Sequence, residues 1–148
     1  MIEFCNELSG SVIVRILEKG EDVFEAIKET AEKNNIKSGI FNMIGAVSKA
    51  VIGYFDVKMK DYRKIVLEKD MELVSCIGNI TKREDGSTVV HAHIALADEE
   101  GNVYGGHLFP GTIIGVTGEL FIFPFKKRII RKFDDKTNLY LIKEQQEL

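Results

Sequence analysis

One amphipathic helix followed by an almost unbroken β pattern is the feature that most restricts how this chain can fold. Glu21 and Asp22 suit the positive end of a helix dipole. Apolar residues then follow at helical spacing, at Val23, Phe24, Ile27 and Ala31. Asn34 and Asn35 end the pattern, so the sequence predicts a helix over residues 21–34 whose apolar stripe needs a sheet to pack on.

The rest of the chain reads as β-strands. Alternating β-branched residues predict a first strand at 11–18, and further strands are predicted near 39–44, 47–57, 64–69, 71–83, 88–97, 103–109, 112–124 and 127–133. Both prolines, Pro110 and Pro124, stand where strands should end or bend. The expected fold class is α+β: a bent, barrel-like, mostly antiparallel sheet with one main flanking helix, formed by residues 1–148 as a single domain.

Composition excludes several other classes of protein. Hydrophobic residues make up 45% of the 148 residues, which excludes a disordered tail or a scaffold held by disulfides. No apolar run approaches the ~18–20 residues of a membrane-spanning helix, and the N-terminus lacks the pattern of a secretory signal. Cys5 and Cys76 form no CxxC pair and are interpreted as reduced thiols. We therefore expect a cytoplasmic protein without membrane contact.

All three histidines fall within a 17-residue window. His91 and His93 occupy positions i and i+2 of one predicted strand, so their side chains leave the same face. A three-residue hairpin loop at Glu99-Glu100-Gly101 would place His107 directly opposite His93. A two-residue turn at Glu99-Glu100 would instead place His107 opposite Ala92. Only the first register brings the three imidazoles to one face.

Three imidazoles on one face are typical of a site for zinc or another divalent metal ion, with one coordination position left open. Gly105 and Gly106 would let a ligand or a second backbone approach His107 closely. The competing interpretation is that each histidine is a hydrogen-bonded strand residue with no ligand. The hypothesis we favour is a metal or anionic-ligand site at His91, His93 and His107.

Three segments carry a family resemblance: GIFNMIGAVSKAVIGYFD (39–56), MELVSCIGNI (71–80) and VVHAHIALADEEGNVYGGHLFPGTIIGVTGEL (89–120). They resemble the plants-and-prokaryotes-conserved (PPC) domain, which also occurs in plant AT-hook nuclear-localised proteins. The resemblance implies a bent antiparallel sheet with a flanking helix, assembly as a homotrimer, and a metal at His91, His93 and His107. The segment Met71–Ser75 matches the one credited with assembly in that family. The same broad fold is shared with acetolactate decarboxylase, a zinc enzyme, but this similarity is one of architecture and serves only as an analogy.

Residues beyond the histidines offer further candidate roles. Glu72 and Glu119 stand inside apolar strands and could orient a zinc-bound water or act as general base, or could pair with a cation at a subunit contact. Asn79 would lie beside His91 if the hairpin at Glu84-Asp85-Gly86 closes in register. It is interpreted either as a hydrogen-bond donor to the site or as a solvent-facing strand residue.

A run of five cations interrupts an otherwise acidic chain. Its members are Lys126, Lys127, Arg128, Arg131 and Lys132, and we call them the basic strip; the net charge of the whole chain is −3. The strip could contact DNA phosphates weakly and without sequence preference. A solvated edge strand is the alternative, and the one we favour. The chain also lacks the Arg-Gly-Arg-Pro core by which AT-hooks bind the minor groove.

Two functional classes follow from the sequence. The first is a trimeric PPC-domain module that assists assembly, including assembly on DNA, and carries a three-histidine metal site. The second is a small zinc-dependent enzyme acting on an anionic metabolite at the same site. The sequence has no unambiguous acid–base partner for the histidines, which favours the first class. The open position of a three-histidine metal favours the second.

Overall fold

The computed structural model describes residues 2–147. One helix, α1 (Val23–Lys33), follows a first strand, β1 (Ile13–Glu18). The later strands are β2 (Gly39–Asp56), β3 (Asp61–Leu67), β4 (Met71–Arg83), β5 (Thr88–Ala97), β6 (Val103–Leu108), β7 (Ile113–Pro124), β8 (Arg128–Asp134) and β9 (Leu139–Gln146).

Helix α1 forms where the apolar spacing predicts it, but is one turn shorter than predicted. Asp22 is its N-cap, and the Asp22 carboxylate accepts hydrogen bonds from the backbone N–H groups of Phe24 and Glu25. The buried face of the helix carries Val23, Ala26, Ile27, Thr30 and Ala31. This face packs mainly against β5 and the ends of β7 and β1, so the expected layer of helix on sheet is confirmed.

The strands form one mixed sheet in the order β1-β7-β2-β6-β5-β4-β8-β9. All pairings are antiparallel except that of β4 with β8, and β2 pairs with β3, β4, β6 and β7 along its length. The sheet is strongly bent because β2 changes partners along its course, but it is not a true barrel. The predicted α+β architecture with a bent, mostly antiparallel sheet is therefore confirmed, and the pairing of β4 with β8 makes the sheet mixed.

Two differences from the sequence-based strands change the architecture. Residues 39–56 form one long strand, whereas the sequence predicts a break after residue 44; the registers of β2 with β4 and β7 shift around Gly45 instead. The second difference is β9, which the sequence does not predict because its residues after Ile142 are polar. β9 pairs with β8 and contributes to the site described below.

The core lies between α1 and the face of the sheet against which the helix packs. Its largest fully buried side chains include Leu17, Ile27, Met43, Leu73, Ile80, Leu96, Leu108, Ile114, Leu120 and Ile122. The opposite face of β1, β7, β2 and β4 leaves large apolar side chains about half exposed. The histidines of β5 and β6 lie on that second face, beside this apolar surface.

Candidate metal centre

The three histidines converge on one face of β5 and β6. His93 and His107 are directly paired across the two strands, as the three-residue loop predicts. Ring centroids are separated by 5.1 Å for His91–His107, 5.4 Å for His91–His93 and 5.7 Å for His93–His107. One nitrogen from each ring lies within 4.8 Å of the other two.

The register that brings the rings together is set by the β5–β6 loop. Asp98 and Asn102 close the loop, with an Asp98 N to Asn102 O distance of 3.1 Å. Gly101 has a φ of +81°, a left-handed conformation that favours glycine. Gly106 then faces β2, where a Cβ would come within 2.7 Å of the Gly53 carbonyl oxygen. A residue with a side chain before His107 would therefore force β6 away from β2.

Two of the imidazoles are held neutral by their surroundings. Burial, helped by the charge of Arg131, lowers the pKa of His91 from 6.5 to about 4. Burial and the neighbouring histidines lower the pKa of His107 to about 4 as well. A neutral imidazole is the form that ligates a metal ion, so at pH 7 both rings are in the ligating form.

Arg131 from β8 is part of this site, which the sequence does not predict. Its side chain lies beside His91 because β8 runs parallel to β4, with Arg83 and Arg131 paired. The residue is only 6% exposed. Its guanidinium donates to Thr81 Oγ1, Tyr140 O and Asn79 Oδ1, each at 2.9 Å, and lies 3.3 Å from His91 Nδ1. Because a guanidinium only donates, this contact is a hydrogen bond in the tautomer that leaves His91 Nδ1 unprotonated. Ligation of a metal ion through Nε2 would put the proton on Nδ1 and remove that hydrogen bond.

Tyr62 from β3 closes the other side of the cluster, and the sequence does not single it out. Its hydroxyl lies 3.3 Å from His107 Nδ1, and its ring centroid lies 4.6 Å from that of His107. Burial raises the pKa of Tyr62 above its ordinary value, so the hydroxyl stays protonated at pH 7. Phe109 packs against both rings, and no local pattern in the sequence indicates this arrangement.

A cavity of about 490 Å³ opens beside the histidines. His91, His93, Asn79 and Asn42 supply its polar wall. The remaining wall is mostly apolar, formed by Ile40, Phe41, Ile77, Gly78, Ala92 and Phe123. A small number of polar groups on an apolar wall is typical of sites for small organic ligands.

Asn79 is paired with His91 across β4 and β5, the register that the sequence predicts. Its side-chain Oδ1 accepts a hydrogen bond from the Arg131 guanidinium. Asn79 is therefore not simply a solvent-facing strand residue. Glu72 and Glu119 lie elsewhere: both line a separate depression with Ile44 and Val116. Glu72 stands seven residues before Asn79 on the same strand, about 23 Å away at ~3.3 Å per residue.

The basic strip does not form one exposed surface. Arg131 is buried, whereas the three lysines pair with carboxylates: Lys126 with Glu7, Lys127 with Glu147, and Lys132 with Glu84 and Glu144. The side chain of Arg128 donates to Gln146. Four of the five cations are therefore at the surface, and the three lysines among them are partly neutralised.

The donor set of the histidine cluster fits a divalent metal ion. Zinc prefers imidazole nitrogens at about 2.0–2.1 Å, which in a tetrahedral site places the nitrogens about 3.4 Å apart. Nitrogens separated by the full 4.8 Å would draw together by about 1.4 Å, which side-chain rotation can supply. His91, His93 and His107 are the residues that would hold the ion.

Among residues 2–147, no helix is long and apolar enough to cross a membrane.

An α+β fold with a bent sheet and three converging histidines defines the structural class. Comparison with known proteins gives the family. The model of the Plants and Prokaryotes Conserved domain matches residues 6–126. The chain is similar to a metal-containing protein from Archaeoglobus fulgidus, with 34% identity, a TM-score of 0.88, and coverage of 97% of this chain and 100% of that one. A plant- and prokaryote-conserved (PPC) protein from Pyrococcus horikoshii has 34% identity and a TM-score of 0.86, over 97% and 98% of the two chains. The chain belongs to the Plants and Prokaryotes Conserved domain family.

A curated relative extends beyond this domain. The bifunctional protein GlmU of a Synechococcus strain is 30% identical over 104 residues, which is 70% of this chain. The match spans only 15% of the length of that protein.

Proposed function

We propose that this chain is a homotrimeric protein, one PPC domain over residues 1–148, that binds a zinc ion through His91, His93 and His107. The observation that carries the proposal is the convergence of three imidazole nitrogens within 4.8 Å, beside a cavity. The similar A. fulgidus protein is described as metal-containing, which supports a metal here. With three protein ligands, zinc would keep a fourth position for water or a bound molecule.

Elemental analysis tests the metal. Protein purified without chelators should contain one zinc per chain, and apo protein should take up one equivalent of Zn²⁺. The Glu119→Gln variant, altered in the separate depression, should bind the same amount. Absence of metal uptake by correctly folded protein at micromolar Zn²⁺ would overturn the proposal.

The exposed apolar face of the sheet supports self-assembly. Ile16, Glu119 and Ile44 are neighbours across β1, β7 and β2, and the two isoleucines are more than half exposed. Val74, in the segment Met71–Ser75, and Val116 extend this surface on β4 and β7, at 51% and 72% exposure. Exposed apolar surface of this extent is typical of protein interfaces.

Light scattering tests the trimer. Wild-type protein should have a mass near 50 kDa, three times the 16.7 kDa of one chain. Ile44→Glu should shift the mass toward one chain because it places a charge on the apolar face. The matched control is Val57→Glu, at an exposed position in the β2–β3 turn, which should leave the mass unchanged. A wild-type monomer at micromolar concentration would contradict the trimer.

DNA is proposed as a weak and non-specific partner at most. Four surface cations, Lys126, Lys127, Arg128 and Lys132, would limit the slope of log K against log salt to about −3.6 for each chain. The ion pairs that the three lysines form with carboxylates reduce the magnitude of this slope further. Fluorescence anisotropy with one duplex and its scrambled counterpart should give equal affinities. We place this function in the cytoplasm, where the two free thiols, Cys5 and Cys76, stay reduced.

A zinc-dependent enzyme acting on an anionic metabolite is the second candidate. The observation that favours it is a permanent cation, Arg131, beside the histidines. A thermal-shift screen of the zinc-loaded protein against carboxylic acids, followed by product analysis of any ligand found, separates turnover from binding alone.

A further inference from the structure

Tyr62 reaches the histidine site from the far side of β2. Gly53 of β2 pairs with Lys64 on one side and with His107 on the other, so β3 and β6 stand two strand spacings apart, about 10 Å. The Tyr62 ring bridges this distance because Gly53 has no side chain: a Cβ there would lie 3.2 Å from Tyr62 Cδ1 and 2.4 Å from Phe109 Cε2. The glycine therefore leaves the space in which Tyr62 meets His107.

Three aromatic neighbours fix the direction of the Tyr62 ring. Its centroid lies 5.1 Å from that of Phe55 and 5.2 Å from that of Phe109, both in edge-to-face geometry. The His107 ring is nearer, with its centroid at 4.6 Å. Such contacts favour one ring orientation, and they would persist with phenylalanine in place of tyrosine. Packing therefore accounts for the ring of Tyr62, but not for its hydroxyl.

The Tyr62 hydroxyl has one partner in the described part of the chain. Among residues 2–147, it contacts only His107 Nδ1 at hydrogen-bond distance, 3.3 Å, so it does not tie β3 to another segment. Because Nδ1 of His107 faces Tyr62, Nε2 is the nitrogen that is left for a metal ion. Ligation through Nε2 puts the ring proton on Nδ1, and that proton needs an acceptor.

Tyr62 and Arg131 differ in whether they can accept such a proton. A phenolic oxygen accepts as well as donates, whereas a guanidinium only donates. The contact of His107 with Tyr62 can therefore survive ligation through Nε2, while the corresponding contact of His91 with Arg131 is lost. Metal-ligating histidines in general donate their second ring N–H to an acceptor that orients the ring.

We propose that Tyr62 is a positioning residue of the metal centre: its hydroxyl accepts the Nδ1–H of His107, which holds the ring with Nε2 directed at the ion. This inference rests on the metal of the proposed function. Loss of the hydroxyl should weaken metal binding while the aromatic packing around His107 stays in place.

Tyr62→Phe removes the hydroxyl and keeps the ring. The Zn²⁺ affinity of the full chain should fall about 10–100-fold, the usual effect of losing a group that orients a metal ligand, as measured by competition with a chromophoric chelator. Tyr54→Phe is the matched control, since it removes a hydroxyl from a tyrosine of β2 that is 63% exposed. Its Zn²⁺ affinity should equal that of the wild type.

Long-range proton–nitrogen NMR of the imidazoles gives a signature that a purely structural role would not move. In the Zn²⁺-loaded wild type, His107 should carry its proton on Nδ1 and the ion on Nε2, and the Nδ1–H proton should resonate downfield because it is hydrogen-bonded. In Tyr62→Phe this proton should move upfield and exchange faster with water. The signals of His93, which does not contact Tyr62, should stay in place.

The wild-type spectrum tests the inference even if Tyr62→Phe fails to fold. Zinc on Nδ1 of His107 in the wild type would overturn this inference alone. The same conclusion would follow from an unchanged Zn²⁺ affinity, or from an unchanged Nδ1–H signal, in folded Tyr62→Phe. Failure of the wild type to bind Zn²⁺ would instead overturn the proposed metal site.

Discussion

Arg131 and Lys132 are neighbours in β8, yet they are in opposite electrostatic situations. Lys132 is at the surface and pairs with Glu84 and Glu144 at 3.4 and 2.7 Å. Arg131 is buried and binds three neutral oxygens beside His91. Strand alternation separates the two side chains onto different faces, so a run of cations in the sequence is divided between two environments.

The contrast between Lys132 and Arg131 shows which kind of charged side chain indicates a function. A surface lysine with a nearby carboxylate is ordinary and contributes little to stability. A buried guanidinium without a carboxylate among the described residues raises the free energy of the folded state unless its hydrogen bonds are complete.

His93→Ala should give the largest effect. His93 is exposed, so its removal takes away one of three proposed ligands and little packing. We expect zinc affinity to fall by more than about 100-fold, since even changes behind the ligands cost 10–100-fold, while the free energy of unfolding of the apo protein changes by less than ~1 kcal/mol. Competition with a chromophoric chelator measures the first quantity and urea denaturation the second.

Lys132→Gln is the control for this prediction, because it removes a neighbouring cation that does not contact the histidines. Its zinc affinity should equal that of the wild type. Retention of tight zinc binding by His93→Ala would show that the three imidazoles do not act together.

Acid pH should destabilise the apo protein through the two buried histidines. The pKa of His91 and of His107 is about 4 in the folded state and 6.5 when unfolded. The unfolded chain therefore binds more protons below pH 6.5, and stability falls as the pH drops from about 6.5 to about 4. The loss is on the order of 3 kcal/mol for each ring. Denaturant unfolding of apo protein at a series of pH values measures it.

The His91→Gln, His107→Gln double variant is the matched comparison for the pH series, because it lacks both titrating rings. Its free energy of unfolding should depend less on pH between 6.5 and 4. Parallel pH profiles for the two proteins would mean that other groups, not the buried imidazoles, govern acid stability. The same neutrality keeps His91 and His107 in the metal-ligating form to lower pH than the ordinary value of 6.5 allows.

Thr81→Val tests the support of Arg131 itself. Thr81 is fully buried and its hydroxyl accepts from Arg131 Nε. Valine has nearly the same shape, so the main loss is the acceptor of a buried, charged donor, and we expect a cost of about 1–3 kcal/mol. Thr117→Val is the control, since Thr117 makes only a 3.4 Å hydrogen bond to Leu17 O. Equal losses of unfolding free energy in the two variants would show that the hydrogen bond from Arg131 to Thr81 contributes no more than that of Thr117.

The parts of the site that the sequence predicts are those that depend on local hairpins. The loop Glu99–Gly101 determines the pairing of His93 with His107, and the next hairpin places Asn79 beside His91. Both registers follow from turn chemistry a few residues away. The fold class follows likewise from periodicity and from one helix.

Arg131 and Tyr62 could not be predicted because long-range pairings bring them to the histidines. Arg131 reaches His91 only through the parallel contact of β8 with β4, about 50 residues earlier in the chain, and through β9. Tyr62 faces His107 because β3 and β6 both pair with β2. Loop closure over such distances leaves no local pattern in the sequence.

The smallest change in unfolding free energy is expected for the surface residue, Lys132. Lys132→Gln removes two exposed ion pairs, and exposed pairs contribute about 0–1 kcal/mol each, less at high salt. We expect a loss of under ~1 kcal/mol at low salt that shrinks further in 0.5 M NaCl, measured by urea denaturation. The cost of Thr81→Val should be nearly independent of salt, because the Arg131 contacts are buried. A large, salt-independent cost for Lys132→Gln would place Lys132 in the same class as Arg131 and break the contrast between the two residues.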